Sequence, residues 1–162
     1  MISSNPDSQS DEAEPSTIVR PDFDPNFAAG WNADVTRRAA GGDLDAQRTM
    51  RNVFTSAIHE VDVTSPLAVM FGVEMVPYAR LCAAHGDMDD ARVLASSLYW
   101  TFAASQSAGF GASGENLAGE AVAILERLAD QGDEIASLAA VQMVGQTPAA
   151  GDIAKRLLMK GN

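Results

Sequence analysis

Apolar residues recur every three to four positions along most of this chain, and the runs stop at short Gly, Pro or Asp punctuation. That spacing is the signature of amphipathic helices. "NADVTRRAA" (32–40) opens on Asn and Asp in capping position and ends at Gly41-Gly42. "DLDAQRTMRNVFTSAI" (43–58) keeps Leu44, Met50, Phe54 and Ile58 roughly on one face. Ser65-Pro66 starts the next helix, because Pro in the first turn loses no hydrogen bond there. That segment, 66–84, is apolar on more than one face, and Pro77 predicts a kink or break near Val76. "DMDDARVLASSLYWTFAAS" (87–105) is amphipathic and runs into the glycine-rich "SAGFGASG". "ENLAGEAVAILERLADQ" (115–131) sets Leu117, Ala121, Ile124, Leu125 and Leu128 at helical spacing. "DEIASLAAVQMV" follows, and after Gly145–Pro148 a last helix, "AAGDIAKRLLMK", carries its bases at the end that favours cations.

The pattern predicts an all-α fold. Aromatics are only 6% of the chain while hydrophobic residues reach 46%, with Ala abundant. Such a composition suits close helix packing better than sheets, which favour β-branched and aromatic residues. Residues 1 to about 20 are rich in Ser, Asp, Glu and Pro and have little to bury, which predicts disorder. "RPDFDPNFAAGW" then brings Phe23, Phe27 and Trp31, expected to dock on the first helices. The expected division is an acidic tail and lead-in over 1–26 and a helical domain over 27–162.

One short feature organises that domain. "RAAGGDLDAQ", "CAAHGDMDDA" and "LADQGDEIAS" place Gly42-Asp43, Gly86-Asp87 and Gly132-Asp133 at separations of 44 and 46 residues. In this register Ala39, Ala83 and Ala129 coincide, as do Leu44 and Met88, and Met50, Leu94 and Ala140. Gly adopts the left-handed conformation that closes a helix without a Cβ penalty. The Asp after it can accept a backbone N–H and cap the helix that follows. Each Gly-Asp therefore predicts a tight turn between antiparallel helices, and the period marks a helical repeat.

These stretches resemble the Sel1-like subgroup of the tetratricopeptide-like helical repeats, whose best-known stretch has the form A-A-x-x-G-D-x-x-A. "RAAGGDLDAQ" and "LADQGDEIAS" follow it; "CAAHGDMDDA" departs at Asp90, where Ala is usual. "GFGASGENLAGEAVAILERLADQGD" is similar to the family's glycine-bearing loop and following helix. The resemblance spans roughly residues 33 to 144. The Tyr and Trp positions of such repeats are mostly missing, 59–65 lacks the glycine loop, and the periods run slightly long. What the resemblance implies is a short α-solenoid of about three stacked helix pairs that holds a partner protein in its groove.

Candidate chemistry is sparse. Cys82 and His85 form a C-x-x-H pair, but a structural zinc site needs four ligands and the sequence supplies no further Cys or His cluster. Cys82 reads as a small buried hydrophobe and His85 as a residue beside the helix end. Gly109, Gly111 and Gly114 have the G-x-G-x-x-G spacing, yet a dinucleotide loop must follow a buried strand, and here it follows a helical pattern. It reads as an inter-repeat loop. Asp87, Asp89 and Asp90 mimic the start of a calcium loop but lack its later Gly and Glu, and read as a capped, solvated helix start. Tyr99, Trp100 and Phe102 are expected to pack in the core or between repeats, with Tyr99 and Trp100 the candidates for partner contact.

Charge narrows the partners. The net charge is −11, and 1–26 holds six acids against the single base Arg20. Such a surface repels nucleic acid and anionic lipid. Cys82 is the lone cysteine, so no disulfide closes within the chain. The N-terminus has no signal-peptide pattern, and no apolar run approaches the ~20 residues of a membrane span. The expectation is a cytoplasmic, non-enzymatic adaptor or regulator without metal or cofactor. The alternative is an acidic decoy that blocks the basic, nucleic-acid-binding surface of a partner.

Overall fold

The computed structural model describes residues 33–110 and 114–161. The acidic tail, the lead-in aromatics and Gly111 lie outside the described residues. Among those described there are seven helices and no strand: α1 (Ala33–Ala40), α2 (Leu44–Glu60), α3 (Pro66–Ala83), α4 (Met88–Ser107), α5 (Glu115–Asp130), α6 (Glu134–Gln146) and α7 (Pro148–Lys160). The chain is all-α there, as its apolar spacing predicts.

The three Gly-Asp turns share one construction. Gly42, Gly86 and Gly132 sit at φ +92°, +87° and +95°, the left-handed region that closes a helix. Each donates its N–H three residues back, to Ala39, Ala83 and Ala129. At the first and third turns the following Asp N–H reaches a further carbonyl, those of Arg38 and Leu128, completing the paired bonds of a Schellman end. Asp43 and Asp133 then accept from the N–H of Ala46 and Ala136, and Asp87 from those of Asp89 and Asp90. A fourth left-handed glycine, Gly109 at φ +80°, ends α4 in the same way, with Phe110 N–H on the Ser105 carbonyl.

A Cβ at Gly42, Gly86 or Gly132 would meet nothing within 4 Å. Only the backbone opposes a side chain there, so Gly→Ala at each turn is expected to lose about 1–2 kcal/mol, the strain of a left-handed L-residue. Urea denaturation of the three variants should give similar losses that add in pairs; a neutral Gly132→Ala would remove the need for glycine.

Consecutive helices pack on one another from α1 through α6, and α5 also receives α7. Met50, Phe54 and Ile58 of α2 meet Ala39 and Met75, with Phe54 stacked on Tyr78 at 5.9 Å. Leu94, Ala95 and Leu98 of α4 meet Val76 and Ala79 on one side and Ala121, Leu125 and Leu128 on the other. Phe102, Ala118 and Val122 meet Ala150 and Ala154 of α7. α5 thus packs against α4, α6 and α7, while Asn116, Arg127 and Asp130 keep one side of it at the surface.

Pro77 does not break its helix: α3 runs unbroken from Pro66 to Ala83. Pro77 and Val73, whose carbonyl loses its N–H partner, are both exposed, so water can take that bond. α3 is also, by length and composition alone, apolar enough to cross a membrane, although no single run in it is uninterrupted. One third of that helix is buried against its neighbours.

Candidate functional site

α2, α3 and α4 leave a cleft between them of about 180 Å³. Its walls are Thr55, Ile58 and His59 from α2, Met75 from α3, and Val93, Ser96, Ser97 and Trp100 from α4. Ile58 and Met75 are buried and floor it. Trp100 is half-buried, and its ring stands edge-on to the exposed His59 imidazole, centroids 6.3 Å apart and planes at 75°. Ser97 turns its hydroxyl back on the Val93 carbonyl at 2.8 Å, and Thr55 bonds the Arg51 carbonyl at 2.9 Å. With those hydroxyls spent on the helices themselves, the cleft presents an apolar interior with an aromatic rim.

The neighbouring aromatics point elsewhere. Tyr99, one residue on, packs towards Phe102 with centroids 5.7 Å apart and hydrogen-bonds Gln146 at 2.9 Å. It ties α4 to the junction of α6 and α7. Phe102 is buried against α5. Of the two residues singled out for partner contact, the structure therefore brings only Trp100 to an open cleft, and uses Tyr99 as an internal strut.

Nearer the N-terminal ends of α2 and α4 than the cleft residues lies a charged cluster that the repeat pattern does not contain. Asp90 is buried and receives Arg48 at 2.6 Å and Arg51 at 2.6 Å, both from α2. Arg51 is itself buried and also bonds Asn52. The Arg48 hydrogen bond, set against desolvation and aided by Arg51, holds the Asp90 carboxyl below its usual range. A solvated helix start is thus the wrong description of Asp90. It occupies the small buried position filled by Ala46 and Ala136 in the other two turns, and its charge is admissible only because α2 delivers two guanidinium groups. Asp87 and Asp89 do remain at the surface.

Two further pairs follow the turn register. Arg48, five residues after its cap, lies 3.6 Å from the next cap, Asp87. Arg92, five residues after that cap, lies 3.4 Å from Asp133. Arg38 bonds Asp43 at 2.6 Å, and these contacts lower the Asp43 carboxyl, first through the Ala46 N–H and then through Arg38.

Cys82 is fully buried, and burial pushes its thiol up, away from the reactive thiolate. His85 bonds the Gln47 side chain at 3.2 Å, and Gln47 in turn holds the Ala39 carbonyl at 3.1 Å. Both ends of the C-x-x-H pair are thereby used structurally. Among the described residues no group of three or more His, Cys, Asp or Glu could hold a metal, and every buried side-chain N or O has a partner. Gly109 closes α4, and Gly114, beside Phe102, leaves room for only 3.0 Å between that ring and an added Cβ. These two glycines serve helix ends and packing. A broader hollow of about 510 Å³ between α5, α6 and α7 carries Glu126 and Asp130 but no aromatic residue.

Comparison with protein-family models, with curated proteins and with solved structures finds no match to this chain.

Proposed function

We propose that the chain is a short α-solenoid of about three helix pairs, a non-enzymatic cytoplasmic adaptor or regulator that holds a partner protein in the cleft between α2 and α4. The observation that carries this reading is the size and lining of the cleft. At about 180 Å³ it is smaller than the ~300–1,000 Å³ of small-molecule and cofactor sites. It suits one large apolar side chain of a partner, and Trp100 supplies the kind of half-buried aromatic that anchors interfaces. The three equivalent turns and the serial packing of α1 to α6 support the solenoid, in which stacked helices offer a groove.

The test is selection of peptide ligands on the full chain, followed by titration in a Trp31→Phe background that leaves Trp100 as the sole indole. A cleft ligand shifts Trp100 emission, and Trp100→Ala weakens it at least about tenfold, the loss of roughly 1.4 kcal/mol. Ligands whose affinity is unchanged by Trp100→Ala sink the cleft reading. Binding that collapses between low and moderate salt and is competed by DNA assigns the contact to the acidic surface, as in the decoy alternative.

A further inference from the structure

The turn register exposes an unfinished edge on α6. Position five after each cap is Arg48, Arg92 and Leu138; the first two reach forward to Asp87 and Asp133. Their side chains are 35% and 29% exposed, whereas Leu138 is 72% exposed. Position eight is Arg51, Ala95 and Val141. Arg51 is 8% exposed against Asp90 and Ala95 is fully buried, but Val141 is 70% exposed. The same two positions that join one turn unit to the next are apolar and bare in the last unit, because α7 folds back on α5 instead of covering them.

We propose that this face of α6 binds α6 of a second copy of the chain, forming a two-fold dimer. Ile135, Leu138 and Val141 lie on one side of the helix at intervals of three, and all are at least 66% exposed. Gly145 continues that side, and the space where its Cβ would stand is empty. A glycine in a helix is unfavourable, and nothing within the described chain uses that space; a second helix can enter it. From Ile135 to Gly151 the sequence has no charged residue, in a chain of net charge −11. Two such polyanions approach most easily along a helix face that itself carries no charge, with Glu126 and Asp130 of α5 set beside Val141 in the neighbouring hollow, and an apolar stripe is self-complementary under two-fold symmetry. A head-to-tail mode is disfavoured: the corresponding cap at the other end, Asp43, is already bound by Arg38 and would face Leu138 rather than an arginine.

The contact is small. A 13-residue helix is about 20 Å long, so pairing covers on the order of 400 Å² per copy, half of the ~800 Å² of a standard interface. The dimer is therefore concentration-dependent. Sedimentation equilibrium of the full chain from about 5 to 300 μM should show the mass rising from 17.0 kDa towards twice that value, more strongly as salt screens the net charge. Leu138→Glu with Val141→Glu should hold it monomeric with an unchanged circular dichroism spectrum, since both side chains are exposed. Val141→Cys should cross-link between copies under mild oxidation. Met70→Glu with Val73→Glu, on the exposed side of α3, and Trp100→Ala should leave the dimer intact. A monomer throughout that range, a dimer that survives the α6 changes, or one lost with the α3 changes overturns the proposal. The inference rests on the turn register and not on the cleft, so failure of one leaves the other standing.

Discussion

Asp90→Ala is expected to remove about 3–5 kcal/mol of folding free energy, the penalty for breaking a buried ion pair from one side. Volume is not the difficulty, because Ala46 and Ala136 fill the equivalent positions with less than a tenth of their surface exposed. The damage comes from Arg51, left buried at 8% exposure with only Asn52 to meet its charge. Asp90→Asn should be nearly as harmful, since it keeps the shape and loses the charge. Replacing Arg48 and Arg51 together with Leu or Met in the Asp90→Ala background should recover most of the loss, because well-packed apolar groups often do as well as a buried ion network. Urea denaturation of the four proteins measures this directly. A loss below about 1 kcal/mol for Asp90→Ala would mean that Arg51 escapes to water.

The same cluster sets an acid limb. The Asp90 carboxyl titrates lower in the folded chain than its ordinary value. Its contribution is therefore complete above the unfolded value of about 3.9 and is lost as pH falls through the lower, folded one. Asp43, also lowered, adds in the same direction. Stability of the native chain should fall steeply below about pH 4, and more gently in Asp90→Asn.

What could be read from the sequence was local. Gly42-Asp43, Gly86-Asp87 and Gly132-Asp133 carry both halves of their turns in two adjacent residues, so the period alone exposes them. Helix starts at Ser65-Pro66 and Asp133 are legible for the same reason. Asp90 was not, because its partners Arg48 and Arg51 lie 42 and 39 residues away, and three neighbouring acids look alike until the fold buries one of them. The division of labour between Tyr99 and Trp100 was equally hidden. Adjacent residues on a helix point about 100° apart, but which one meets a cleft depends on where α2 and α6 pass. Trp100 had a signal in its size alone; Thr55, Ser96 and Ser97 had none. The return of α7 onto α5 left only a faint trace, the small residues Ala118, Gly119, Ala150 and Ala154, whose matching is meaningful only once the two helices are known to touch.

That contact yields the second large effect. Gly119→Ala is expected to destabilise the chain by about 1–3 kcal/mol, the usual range for overpacking a core. The added Cβ would stand 2.2 Å from Cγ2 and 2.4 Å from Cβ of Ile153. A terminal methyl could rotate away, but the Ile153 Cβ is fixed to its backbone, so α7 itself must shift. Against this, Ala favours a helix over Gly by up to about 1 kcal/mol, and the clash outweighs it. Gly145→Ala isolates the opposing term: its Cβ meets nothing within 4 Å, so the same substitution should there be neutral or stabilising by up to about 1 kcal/mol. Ile153→Ala opens the space opposite Gly119, and combining it with Gly119→Ala should be less harmful than the two single losses summed, a coupling expected of residues in contact. Because α7 touches α5 far more than α6, the damage should concentrate at one end. Hydrogen exchange of Gly119→Ala should speed up in Ile153–Leu158 while α2 and α3 keep their protection. A Gly119→Ala chain as stable as the Gly145→Ala chain would show that α5 and α7 do not approach this closely.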